Sequence, residues 1–454
     1  MTPPVRIANV QAFWGDYSRA AVEMLQQDQS IDYLTLDYLA EVSMSILAKQ
    51  QSRKPDLGYP QDFLQVVRSI APFWAAGSET KVVANAGGLA PMQCAKECAK
   101  IVHAAGCGGR KIGVVSGDSV LTILASANGN EELYRNLDTG QQLCDRTDDL
   151  VTANAYVGAE AIVQALEAGC DLVITGRVAD PSMVVAPCVH HHGWSLDDYD
   201  RLAGATVAGH LIECGTHVTG GISTDWLAVE NVSSIGYPIV EIDADGACVV
   251  TKPNGTGGVV NSKTVTEQLL YELGDPENYL SPDCSVSFLG LQVEDLGSNR
   301  VSVKGAIGRE PPTTLKVSAT QHVGYHAAGT LVVFGENAVE KAKRAGNLVL
   351  ERLRSIDLEP AESRIECLGS GATVPLQHLQ RNDAREVVLR VAVADPQRAP
   401  VTQFANDWTS LVCCGPQGTT GYAGGRPRVS ETYGYWPCLI DSDAVEMKVE
   451  VLEV

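Results

Sequence analysis

Lys81-Val-Val-Ala-Asn-Ala-Gly-Gly-Leu-Ala-Pro91 joins a short apolar run, a glycine-bearing turn and a proline placed where a helix would begin. A buried parallel strand reads as a continuous apolar run, and proline is accepted in a first helical turn because its missing N–H costs nothing there. The stretch therefore reads as strand, tight turn, helix. The same succession recurs at Ile7-Ala-Asn-Val-Gln-Ala-Phe-Trp-Gly-Asp16, Lys111-Ile-Gly-Val-Val-Ser-Gly-Asp118 and Asp171-Leu-Val-Ile-Thr-Gly-Arg-Val-Ala-Asp-Pro181. Four such junctions imply βαβ units with right-handed crossovers, and open α/β sheets bind ligands where their strands end. The recurrence predicts a cleft before any chemistry is assigned.

Working outward, Tyr17–Leu25, Gln61–Ile70, Pro91–Ala105 and Ala155–Ala168 carry helical patterns, the last closed by Gly169, and Ile31–Leu36 suits a further strand. From about residue 231 the texture changes. Val240–Asp243, Ala247–Val250, Ser285–Leu289, Arg300–Lys304, Thr314–Ser318 and Thr330–Phe334 read as antiparallel strands, many alternating apolar with polar residues. A long helix over Asn337–Arg354, strands at 363–368 and Glu386–Val393, a helix near 399–412 and two closing strands follow. Val445–Val454 contains a Met-Lys pair like a biotin attachment site, but its near-regular alternation marks an amphipathic edge strand. The expected fold is α/β: a Rossmann-like, mostly parallel sheet with helices on both faces over 1–230, then an α+β domain with a largely antiparallel sheet over 231–454. A chain of 454 residues with 45% apolar content can fill two cores.

The formal charge of -21, from 55 acidic against 34 basic residues, repels nucleic-acid phosphates and anionic membrane surfaces. No run approaches the ~20 apolar residues of a membrane span, and the start lacks a basic segment followed by an apolar one. A cytoplasmic protein is expected. Thirteen cysteines are an odd number with no CxxC pair, which suits reduced thiols. Cys94 and Cys98 share a helix face but have no matching histidine pair, so no zinc site is expected. His190, His191 and His192 are too close in sequence to face one point on a helix, and suit a helix carboxyl end better.

Candidate chemistry gathers at the predicted strand ends, where Asp16, Asp37, Glu41, Asn85, Gly87, Gly88, Asp118, Arg177 and Asp180 lie. Asn85, Gly87 and Gly88 could cradle an anion before the helix at Pro91, although a capped tight turn needs the same residues. The segment is neither a Walker loop nor GxGxxG, so neither a nucleotide nor a redox cofactor is expected. Arg177 could grip a carboxylate or phosphate, or else pair with Asp180 to cap the next helix. Gly209-His-Leu-Ile-Glu-Cys-Gly-Thr-His-Val-Thr-Gly-Gly221 is the densest reactive stretch. On a helix ending at Gly215, His210, Glu213 and Cys214 fall within one turn, with His217, Thr219 and Gly220 in the loop beyond. His210 and Glu213 could move protons, whereas Cys214 reads as an inert buried thiol. Lys252–Gly258 and Cys414–Arg428 are glycine-rich loops with basic ends, and Arg426 in the second is a candidate substrate contact. Asp16, Asp37 and Asp118 offer a different reading, a divalent metal site, because hard cations take carboxylate oxygens.

Taken together and in order, several stretches resemble the acyclic terpene utilisation family. They are Trp14–Asp16, Leu34–Met44, Asn85–Gly88, Asn154–Ala159, Ile174–Asp180, Gly209–Gly215, Gly236–Pro238, Lys252–Gly258, Glu267–Glu272 and Gly425–Arg428, and they cover nearly the whole chain. The resemblance implies catabolism of branched acids as coenzyme A thioesters, hence a lyase or hydratase step on an acyl-CoA or small acid. Asp118, Asp180, His210 and Glu213 would then move protons, while Asn85, Gly87, Gly88, Arg177, Thr219, Gly220 and Arg426 would hold the substrate. No cofactor is expected beyond coenzyme A as part of a substrate, and no metal. Partners would be a small-molecule substrate and further copies in a homo-oligomer. Relatives carry an additional small ferredoxin-like domain, here expected from a partner subunit, and Gln where His217 stands. The competing reading is a non-catalytic subunit or ligand-binding module that docks to a coenzyme A-dependent carboxylase or to that small domain.

Overall fold

A computed structural model describes residues 3–126, 132–143, 147–374, 381–421 and 424–454. The chain forms two compact units, Met1–Thr320 with Tyr435–Val454, and Gln321–Gly434. This partition differs from a boundary near 230.

The first unit is built on strands β1 (Val5–Asn9), β2 (Tyr33–Leu36), β3 (Lys81–Ala84), β4 (Lys111–Ser116), β5 (Leu150–Ala155) and β6 (Leu172–Thr175). Its main sheet runs Gln292–Gly297, Arg300–Lys304, Cys248–Thr251, Ile239–Ile242, β1, β2, β3, β6, β4, Lys448–Glu453. From β1 to β4 every pairing is parallel, with Ile7 opposite Tyr33, Leu34 opposite Val82, Val83 opposite Val173 and Ile112 opposite Leu172. Outside that block every pairing is antiparallel. The sheet is therefore mixed, which corrects the expectation of a mostly parallel one. The alternating strands after residue 231 do not begin a separate sheet: Val240 lies opposite Ile7, so the change of texture marks a change of strand direction and exposure. Lys448–Glu453 lies along β4 as an outer strand.

The parallel strands are apolar on both faces because helices cover both. Val82, Ala84, Val114 and Leu172 pack with Met24, Phe63, Ile70, Cys94 and Cys98, whereas Val83, Val115 and Val173 pack with Ile162, Val185, Cys188 and Leu211. Adjacent strand residues point to opposite faces, so each strand feeds two cores. Helix Tyr199–Glu213 is buried without a break from Leu202 to Ile212. A helix apolar all round is an interior helix, and it fixes whatever its last turn carries.

In the second unit the order is strand, helix Ala338–Arg354, strand Glu362–Leu368, strand Glu386–Asp395, helix Arg398–Asp407, strand. The first and last strands belong to the long strands Thr314–Phe334 and Ser430–Asp441, which pair with each other, and Glu386–Asp395 lies antiparallel between Thr314–Phe334 and Glu362–Leu368. This is the βαββαβ connectivity of the ferredoxin-like motif. Leu331, Val333, Val349, Leu353, Leu389, Val391, Phe404 and Trp408 form its core.

Candidate functional site

The carboxyl ends of β2 and β6 and the last turn of helix Tyr199–Glu213 meet in the first unit around a cavity of about 330 Å³. Glu41, Tyr156, Asp180, His210, Glu213, Glu272, Tyr279 and Lys316 line it on one side, with Pro181, Leu280, Leu315 and Leu439 among its apolar walls. A wider hollow of about 820 Å³, lined by Asp32, Tyr33, Thr80, Lys81 and His191, opens at the amino ends of β2 and β3. Parallel sheets present their ligand-binding loops at the other end, so the smaller cavity is the candidate site.

Beneath it lies Arg177, 3% exposed, whose Nη1 donates to Leu39 O and Nη2 to Asp180 Oδ1. Its guanidinium stands 4.0 Å from the centre of the Tyr156 ring, and its Nε has no hydrogen-bond partner among the described residues. Burial alone would favour the neutral form, but Asp180, Tyr156, Asp37 and Glu41 outweigh it and hold Arg177 charged. Asp180 keeps 31% of its side chain open and so carries this pair to the cavity. Asp180 and Asp37 lie close enough for each to shift the other's ionisation. Burial, then the charge of Asp180, lifts Asp37 well above the usual carboxylate range, and burial raises Asp180 against the pull of Arg177. Two adjoining carboxyls of this kind resist joint ionisation.

A second acid–base pair stands at the helix end. His210 Nδ1 lies 3.0 Å from Glu213 Oε1, while Glu213 Oε2 has no hydrogen-bond partner among the described residues. Burial pushes Glu213 up to about 7, with His210 opposing and Asp180 adding to the rise. His210 is raised as well: burial disfavours its charge, but Glu213 outweighs it. Gln268 Nε2 anchors this turn by donating to His210 O at 2.7 Å. Cys214 adjoins the pair, and burial pushes its thiol up to about 12, which keeps it protonated and unreactive.

Asn85, Asp118 and Arg177 do converge, but their contacts differ from the roles anticipated for them. Asn85 is fully buried; its Oδ1 accepts from Tyr38 N and its Nδ2 donates to Asp37 Oδ1 at 2.7 Å. It orients a carboxylate. The turn after it spends its backbone donors within the protein: Gly87 N on Thr175 O, Gly88 N on Asn85 O, Leu89 N on Gly58 O and Ala90 N on Gly87 O. The glycines answer to close packing. A Cβ on Gly87 would stand 2.5 Å from Thr175 O, and Gly88, at φ +53°, lies against Leu47 and Gly58 O. Asp118 Oδ2 accepts from Arg177 N and Asn154 Nδ2, and its carboxylate covers Gly176. It therefore holds the Gly176-Arg177 backbone, and it lines a neighbouring cavity of about 480 Å³ with Gly88 and Asn154.

Thr219 and Gly220 sit elsewhere. Thr219 Oγ1 donates to Gly236 O and Thr216 O, and Gly220 packs on Val229 and Val259. Arg426 belongs to the second unit and is exposed. Of the three aspartates that could have held a cation together, Asp16 is occupied by Ala12 N, Tyr17 N and Tyr237 OH, Asp37 by Asn85 and Leu39 N, and Asp118 as above. Among the described residues, no group of three or more His, Cys, Asp or Glu is arranged to hold a metal ion.

Tyr156, Glu272, Tyr279 and Lys316 were not marked as chemical candidates by the sequence. Tyr156 and Glu272 fell within motifs that carried the family resemblance, which was the available signal; Tyr279 and Lys316 come from strands with no distinguishing pattern.

The chain matches the family model described as acyclic terpene utilisation family protein AtuA over residues 5–451, and it belongs to that family. No curated protein and no solved structure matches it. No helix among the described residues is long and apolar enough to cross a membrane.

Proposed function

We propose that the protein is an enzyme of small carboxylic acid or acyl-CoA catabolism that adds or removes a small group by proton transfer, as a lyase or hydratase does. The observation that carries the reading is the pair of acid–base couples, Glu213 with His210 and Asp180 with the buried Asp37 behind it, of which Glu213, His210 and Asp180 line one cavity. Elimination and hydration both need a base for one proton and an acid for another, and neighbouring environments that push ionisations apart supply both. Glu213, poised near neutrality and steadied by His210, acts as the base. Asp180, raised by burial, acts as the acid.

The cavity suits a small acid or the acyl end of a thioester; a whole coenzyme A would extend beyond it. No nucleotide or redox cofactor is required for such a step. The test is solvent exchange. The full-length protein is incubated in D2O with a panel of short hydroxy and unsaturated acids, free and as coenzyme A thioesters, and deuterium incorporation is followed by NMR. Incorporation by the wild type that is lost in Glu213→Gln supports the reading, and a panel without exchange overturns it.

A further inference from the structure

We infer that Tyr156 is a catalytic hydrogen-bond donor to a substrate oxygen that becomes negatively charged, so that the site takes carbonyl compounds able to pass through an enolate. The inference rests on the proton-transfer reading above and names its substrate class.

Tyr156 lines the cavity beside Asp180 and Glu213, and its hydroxyl is buried with no partner among the described residues. Buried phenols normally find a partner, so an unpaired one at a cavity wall is set aside for something that enters. Two cations lie against the same ring: Arg177 at 4.0 Å and Lys316 at 5.1 Å from its centre. Tyr156 N also donates to Lys316 O, so ring and lysine belong to one backbone ladder. Burial raises the phenol above its ordinary range, with Arg177 opposing, so at neutral pH it keeps the proton it would donate. Positive charge beside the ring favours an anion at its hydroxyl, and a donor held rigidly where charge develops stabilises that charge without reorganising.

Around this donor the carboxylates Glu41, Asp180, Glu213 and Glu272 repel a substrate that is anionic at the wrong end. A neutral carbonyl directed at Tyr156 meets no such penalty. When Glu213 removes a proton from the adjoining carbon, the C–H electron pair forms the carbon–carbon double bond of the enolate and the carbonyl pair moves to oxygen, where the Tyr156 hydroxyl receives it. The proton resides on Glu213.

The test uses full-length wild type, Tyr156→Phe and Glu213→Gln, with 3-nitropropionate at alkaline pH as probe, since its nitronate carries the planar charged oxygens of an enolate, and succinate as control. Titration calorimetry is expected to show 3-nitropropionate binding weakened roughly tenfold to a hundredfold in Tyr156→Phe, with succinate affinity and melting temperature unchanged. Equal affinity in wild type and Tyr156→Phe, or no binding of 3-nitropropionate to the wild type, overturns the inference. Because binding is read without turnover, 3-nitropropionate that still distinguishes Tyr156 while Glu213→Gln leaves exchange untouched separates failure of the base from failure of this donor.

Discussion

Two segments at the carboxyl ends of the central strands have similar sequences and opposite economies. In Asn85–Pro91 the backbone N–H groups of Gly87, Gly88, Leu89 and Ala90 and both Asn85 amide atoms are matched within the protein. Around Arg177, Tyr156 and Glu213 several buried polar atoms have no hydrogen-bond partner among the described residues. The first arrangement is what rigid support looks like. The second leaves unmatched groups whose burial is tolerated only if a visitor completes them. Glycine-rich turns therefore teach little about ligands until their donors are followed to their acceptors.

The largest effect that separates the two segments lies on the unmatched side. Glu213→Gln is expected to lower turnover roughly 10²- to 10⁴-fold, about 3–5 kcal/mol of barrier, with the fold retained. Comparable loss from a change in the turn, with the fold intact, would erase the distinction. The same variant sharpens it through pH. Wild-type activity should rise as pH passes through about 7, where Glu213 loses its proton, and Glu213→Gln should lack that limb. Stability moves in the other direction. Because the folded ionisation lies above the ordinary 4.5, the contribution of Glu213 is fully present below about 4.5 and lost as pH rises through about 7, so the melting point of Glu213→Gln should gain on the wild type between pH 5 and 8.

On the supporting side the effects fall on folding. Gly87→Ala places a Cβ against the Thr175 carbonyl and Pro91, neither a flexible chain end, and should cost about 3 kcal/mol in urea denaturation. Asn85→Ala strands the buried Tyr38 N–H and removes a donor from Asp37, which should cost about 2 kcal/mol and raise the Asp37 ionisation further. The smallest expected change is Thr219→Val, which loses a donor to Gly236 O: about 1 kcal/mol of stability, with activity per folded molecule unchanged. A fall in activity there would extend the site to a loop whose contacts are structural.

The strand-to-helix junctions were legible because apolar runs and turn residues are local signals, and the parallel block β1, β2, β3, β6, β4 follows from them, whereas β5 carried no such signal. Less legible was the direction of pairing: Ile239–Ile242 looks like any alternating strand, and only its partner β1 decides whether it founds a new sheet or extends an old one. The same limit applied to the site. Asp180, His210 and Glu213 carry titratable groups in dense motifs and stood out, whereas Tyr156 and Lys316 became chemical only through a ring and an ammonium brought within reach by β-pairing. Asn85 and the glycines stood out too, but whether a donor is free or already occupied depends on residues such as Thr175 and Gly58 that sequence separation hides.

The chain order of the two units bears on biosynthesis. The βαββαβ unit is complete once residue 434 has emerged, while the sheet that began with β1 still awaits Lys448–Glu453, the strand that shields β4. A ribosome-bound chain would thus expose the β4 edge until Lys448–Glu453 has emerged, and such an edge is a template for pairing with other chains. Removal of Lys448–Glu453 should accordingly show first as aggregation during expression, before any change in chemistry could be measured.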